Sequence, residues 1–99
     1  MPESGEHKQL HAIVHGRVQG VSFRYYTEQR ANELGLVGWV RNRGDGSVEV
    51  IAEGNPEQLR HFEEYLNLGP TAARVESVEK SYSPATGEFT RFRIKYFGE

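Results

Sequence analysis

Apolar and polar positions change period several times along this chain, and the changes mark out seven elements. Leu10, Ala12 and Val14 alternate with His11, Ile13 and His15, the period-two pattern of a strand. Both sets contain apolar residues, so the strand is expected to be interior, covered on one face and partly covered on the other. From Phe23 the period lengthens. Phe23, Thr27, Ala31 and Leu34 fall on one helical stripe bordered by Arg30, with Ser22 as the expected N-cap and Gly35 as the stop. Leu36 to Asn42 reads as a second strand, Gly44-Asp45-Gly46 as a turn, and the alternating Val48, Val50 and Ala52 as a third strand completing a hairpin. Asn55, Pro56 and Gln58 predict the start of a second helix through a cap, a first-turn proline and a capping box. Leu59, Phe62 and Leu66 form its buried stripe, and Gly69-Pro70 ends it.

The last third is less regular. Val78, Lys80 and Tyr82 share a parity that Val75 does not, which predicts a strand over Arg74 to Tyr82 with a bend or bulge. A turn at Pro84 to Gly87 leads to a final strand. Phe92, Ile94 and Tyr96 are expected to face the core, and Arg91, Arg93 and Lys95 the other way. The order strand, helix, strand, strand, helix, strand, strand predicts an α+β fold, an antiparallel sheet with both helices on one face. Residues 1–7 are expected to form a flexible tail and 8–99 a single domain, with no linker between parts.

Composition narrows the function. A chain of 99 residues holds one modest core. Without cysteine there is no disulfide, thiol nucleophile or thiolate metal site. A net charge of −2 gives little support for broad nucleic-acid or acidic-membrane binding. No segment approaches the length of a bilayer span and the first residues carry no apolar run, so cytoplasmic residence is expected. A monomer is the default.

The candidate chemistry lies between the first strand and the first helix, in Gly16-Arg17-Val18-Gln19-Gly20-Val21-Ser22-Phe23-Arg24. Two glycines permit a tight turn, the backbone offers N–H groups, and a guanidinium follows. This combination suits a small dianion such as a phosphoryl group. It is not a nucleotide P-loop, because the lysine–hydroxyl pair at the required spacing is missing, and it does not match the dinucleotide fingerprint. Taken alone, the loop reads first as an ordinary strand-to-helix turn. His11 and His15 lie about 13 Å apart on a strand rising about 3.3 Å per residue, too far to share a metal. Glu28, Glu33, Glu49 and Glu53 show no metal spacing and read as solvated charges, while Asp45 serves the turn. Trp39, Tyr25 and Tyr26 raise an RNA-stacking alternative, but the aromatic signatures of such domains are missing.

The same residues closely resemble the acylphosphatase family. Its first signature is matched by Gly16 to Arg24. Its second is matched by Gly38-Trp39-Val40-Arg41-Asn42-Arg43-Gly44-Asp45-Gly46-Ser47-Val48-Glu49. Likeness continues at Glu53-Gly54, Gly69-Pro70, Ala73-Arg74-Val75 and Phe92 to Tyr96. The resemblance implies a ferredoxin-like alpha/beta sandwich extended by a fifth strand. It implies metal-free and cofactor-free hydrolysis of acyl phosphates to a carboxylate and inorganic phosphate. It assigns Arg24 to the phosphoryl oxygens and Asn42 to the attacking water. It gives the backbone amides of Arg17, Val18, Gln19, Gly20, Val21, Ser22 and Phe23 to the phosphate cradle. Ser22 stands where many members carry glycine. Beside this reading stands a noncatalytic anion- or RNA-binding domain that keeps the cradle.

Overall fold

Alternation along the first strand decides the layering. In the computed structural model, which describes residues 6–96, that strand is β1 (Lys8–Arg17). Leu10, Ala12 and Val14 are fully buried, while His11, Ile13 and His15 are half-buried on the opposite face. The remaining elements are α1 (Phe23–Glu33), β2 (Val37–Asn42), β3 (Val48–Gly54), α2 (Pro56–Leu68), β4 (Arg74–Pro84) and β5 (Phe92–Ile94). Phe23 and Ala31 of α1 and Leu59, Phe62 and Leu66 of α2 pack on the buried side with Val40, Val48, Val50, Ala52 and Phe92. Each large apolar side chain buried there contributes about 1.5–3 kcal/mol. Residues 1–5 of the expected tail lie outside the described residues, and Glu6 and His7 are exposed ahead of β1. Among the described residues no helix is long and apolar enough to cross a membrane.

The strands are ordered β4-β1-β3-β2-β5. Pairings β1–β3, β1–β4 and β2–β3 are antiparallel, but β5 runs parallel to β2, so the sheet is mixed where an antiparallel one was expected. Connectivity forces this. Pro84 pairs with Lys8 and Val37 with Glu53, so β4 ends at the same end of the sheet where β2 begins. Residues 85–91 cross that end, and the chain enters the far edge pointing the same way as β2. The predicted bulge is present. Ser77 faces His15 but Val75 faces Gly16, so Glu76 is the extra residue, and the side-chain parity changes there. A Cβ on Gly16 would run into the carbonyl oxygen of Arg74.

The two helices start differently. Asn55 accepts hydrogen bonds from Glu57 N at 2.7 Å and Gln58 N at 3.4 Å, as its capping role predicts. Ser22 occupies the N-cap of α1 in the left-handed region, at φ 61° and ψ 25°, and its side chain accepts no capping bond. α1 ends through Leu34 and Gly35, the latter at φ 72°.

Candidate anion-binding site

Three elements end at the same edge of the sheet: β1 at Arg17, β2 at Asn42, and α1 at its N-terminus. The connecting loop therefore lies against the last residue of β2, although far from it in sequence. The first closed turn of α1 is made by Tyr26 N donating to Ser22 O at 3.1 Å. Among the described residues, none of the backbone N–H groups from Val18 to Arg24 donates to a protein acceptor. Helix N-terminal amides carry partial positive charge directed outward along the axis, so this end of α1 favours an anion.

Val18, Gly20, Ser22, Phe23, Arg24 and Asn42 line one cavity of about 470 Å³, together with Tyr25, Ile94 and Tyr96. The parity of β2 turns Asn42 to the same side as buried Val40, towards the helices. Its Oδ1 is buried and has no hydrogen-bond partner among the described residues. Arg24 follows buried Phe23 on α1, and its guanidinium carbon lies 5.3 Å from the centroid of the Tyr96 ring. That cation–π contact holds the side chain over the cavity.

The other expected site residues divide by role. Val18 and Phe23 are nearly fully buried and fix the two ends of the loop to the core. Gly20, at φ 75°, supplies the positive-φ turn between them. Arg17 is exposed at the end of β1, paired with Arg74 and away from the cavity lining. Val21 packs against the core and lines a neighbouring groove. The Gln19 side chain turns away from the cavity and donates to Arg43 O at 2.8 Å and Ser47 O at 2.9 Å. It fastens the loop to the β2–β3 hairpin. That hairpin is held by Asp45, which accepts from Ser47 Oγ at 2.5 Å and Ser47 N at 2.9 Å. These bonds, the hydroxyl's first, keep the Asp45 carboxyl below its ordinary range.

Some roles were not visible in the sequence. Tyr96, expected in the core, is 58% exposed and stacks on Arg24 instead, because β5 ends at Ile94 and no longer pins the next side chains to the sheet. Glu49 and Glu53 are not solvated charges. Glu49 accepts from Arg41 Nε at 2.9 Å and pairs with His11 Nε2 at 2.7 Å. Burial pushes its carboxyl up, but the His11 and Arg41 bonds outweigh that and lower it. Glu53, only 3% exposed, holds the 85–91 connection at the far end of the sheet. His15 pairs separately with Glu79. Among the described residues no group of three or more His, Asp or Glu is placed to hold a metal ion.

Comparison with known proteins agrees with the geometry. The acylphosphatase family model matches residues 10–94. An acylphosphatase of Marinobacter nauticus is 54% identical over 86 residues, covering 87% of this chain and 94% of the relative. One from Salinibacter ruber is 45% identical over 93 residues, covering 94% and 98%. Among solved structures, the acylphosphatase of Bacillus subtilis superposes with a TM-score of 0.87 at 40% identity, over 90% of this chain and 99% of that one. That of Coxiella burnetii gives 0.85 at 34% identity, over 91% and 94%. With two sequence motifs, a matching fold and near full-length relatives in agreement, this chain belongs to the acylphosphatase family and is a hydrolase.

Proposed function

We propose that the cavity between α1 and β2 hydrolyses the carboxyl–phosphate bond of acyl phosphates, with Arg24 and the amides of residues 18–24 holding the phosphoryl group and Asn42 aiming the water. The observation that carries the reading is the buried, unpartnered Oδ1 of Asn42 on the same cavity as Arg24. An amide oxygen buried without a partner costs about 1–3 kcal/mol. A water molecule donating to it both removes that cost and fixes the direction of its own lone pair.

The chemistry asks little more of the protein. The departing carboxylate has a conjugate-acid pKa of about 4–5, in the range of side-chain carboxyls, so it leaves without a proton. The remaining tasks are holding the phosphoryl group, stabilising its charge and placing the nucleophile. Arg24 presents a planar fork of donors to the equatorial oxygens. The helix amides add fixed dipoles that need no reorganisation. Asn42 is not a base. The water proton passes to a phosphoryl oxygen, and the products are a carboxylate and inorganic phosphate. One chain supplies every group used, so a monomer suffices.

The test is phosphate release from acetyl phosphate in the presence of a chelator. Turnover is expected to persist. Asn42→Ala is expected to lose most turnover while still binding inorganic phosphate. Phosphate or RNA binding without any hydrolysis would replace this reading with a noncatalytic module.

A further inference from the structure

On the face of the sheet away from the helices, cations gather along one edge. β5 is that edge strand. It pairs with β2, and among the described residues no strand pairs with its other side. Gly38 N donates to Arg91 O at 3.0 Å and Lys95 N donates to Val40 O at 2.9 Å, so the backbone of the odd-numbered residues turns towards β2. By alternation Phe92 and Ile94 direct their N–H and C=O groups outward. In keeping with that direction, Ile94 O accepts a long bond, 3.4 Å, from Arg93 Nη1. Arg91, Arg93 and Lys95 line one hollow of about 270 Å³ together with Trp39, which stands opposite Arg93 in the β2–β5 ladder. Glu88 is the one carboxylate among its lining residues. A chain of net charge −2 thus sets three cations at every second position of one edge.

We infer that this edge takes up an extended acidic peptide, with a carboxylate at every second position, as a sixth strand beside β5. Residues opposite one another in a ladder share a face. Such a strand therefore lays its acids against Arg91, Arg93 and Lys95 while its backbone meets the outward groups of Phe92 and Ile94. The main chain supplies affinity, and the alternating charges set which sequence fits. Charged edges also guard against self-association, and this one does so selectively, because a second copy of β5 would bring the same cations opposite these. Trp39 disfavours the other common polyanion, single-stranded nucleic acid. Its ring already meets Lys95 Nζ at 4.6 Å and the Arg41 guanidinium carbon at 5.3 Å from the centroid, and Arg41 is in turn held by Glu49 at 2.7 Å. A base stacking on that ring would have to displace both cations. The inference does not depend on the proposed hydrolysis, since strand parity puts Trp39 on the opposite face of the sheet from Asn42.

Trp39 is the chain's single tryptophan, so its emission reports on the site directly. A short peptide alternating glutamate and valine is titrated into the full chain at low salt. Beside it run a peptide of the same composition with its glutamates in one block, and an oligouridylate. The alternating peptide is expected to shift Trp39 emission to saturation and to slow hydrogen exchange at the Phe92 and Ile94 amides. It is expected to bind at least about fivefold tighter than the block peptide, which can place only part of its charge on the cationic face. Reversing two cations together, Arg91→Glu with Lys95→Glu, is expected to weaken it about tenfold and to create binding of a peptide alternating lysine and valine. Thermal unfolding checks that the variant folds, and Arg91→Glu alone gives a smaller loss in the same direction. Equal binding of the alternating and block peptides without amide protection would reduce the site to unspecific charge and overturn the inference. Tighter binding of the oligouridylate would make the edge a nucleic-acid surface instead, and an alternating peptide that leaves Trp39 emission unmoved at low salt would remove the site altogether.

Discussion

The two ends of the sheet each carry a loop rich in backbone donors, and they differ in what those donors meet. At one end, residues 85–91 cross beneath the strands, and the Glu53 carboxylate fills their centre. It accepts from Thr86 N at 2.9 Å, Thr86 Oγ1 at 2.8 Å, Gly87 N at 3.0 Å and Gln9 Nε2 at 2.7 Å. At the other end, the amides from Val18 to Arg24 meet no protein acceptor among the described residues, and a guanidinium stands beside them. N–H groups around an anion close the fold at one end, and the proposed function gives the same interaction to the substrate at the other. The difference is whether the chain supplies the anion itself. A loop that does so becomes a structural clamp, and a loop that does not leaves its donors open to an anion brought from outside.

The sharpest way to break this comparison is to remove one charge from each end. Arg24→Ala is expected to raise the catalytic barrier by about 3–4 kcal/mol, seen in kcat for acetyl phosphate, with little loss of folding stability. Glu53→Ala is expected to do the reverse. It should lower unfolding stability by about 3 kcal/mol, because several charge-assisted bonds are lost and their donors stay behind, and leave phosphate affinity unchanged. Chemical denaturation and phosphate titration of the two variants read both quantities. Loss of phosphate binding in Glu53→Ala with stability intact would erase the distinction.

Acid tests the clamp without mutation. Burial pushes the Glu53 carboxyl up, but the bonds from Thr86, Gln9 and Gly87 outweigh it, and the group titrates below its ordinary value when folded. The unfolded chain, with a glutamate pKa of about 4.3, then binds the proton more readily than the folded one. The stability from Glu53 is complete above that value and is lost as pH falls through the lower folded one. Denaturation midpoints measured downward from pH 6 should fall less steeply in Glu53→Gln than in the wild type.

Smaller effects refine the open end. Gln19→Ala removes two bonds that fasten the loop to the hairpin, and is expected to cost about 1–2 kcal/mol of stability. Ser22→Gly relieves a left-handed residue and should raise stability by about 1 kcal/mol. Thermal unfolding checks both, and a Ser22→Gly variant less stable than wild type would mean that the hydroxyl holds the loop after all.

Local features were legible in the sequence, and contacts across the sheet were not. The parity break between Val75 and Val78 located the bulge, and the Asn55–Pro56 start of α2 formed as written, because turn and cap preferences act within a few residues. The loop from Gly16 to Arg24 was equally local. Ser22 misled because a capping hydroxyl and a left-handed hinge draw on the same small polar residues. Glu53 and Gln19 act on partners 33 and 24 residues away, and their side chains carry no periodic signal. Tyr96 continued the parity of Phe92 and Ile94, but the pairing of β5 stops before it. The parallel direction of β5 depended on which edge β4 occupied, a property of the assembled sheet.

The most direct test of the central claim is a titration of inorganic phosphate into ¹⁵N-labelled protein, followed by amide NMR. The account predicts that the backbone amides of Val18 to Arg24 and the Asn42 side-chain amide shift together to one saturating value, while the Glu53-bound amides of Thr86 and Gly87 stay still. Shifts centred on Thr86 and Gly87, or an unmoved 18–24 loop at saturating phosphate, would contradict it.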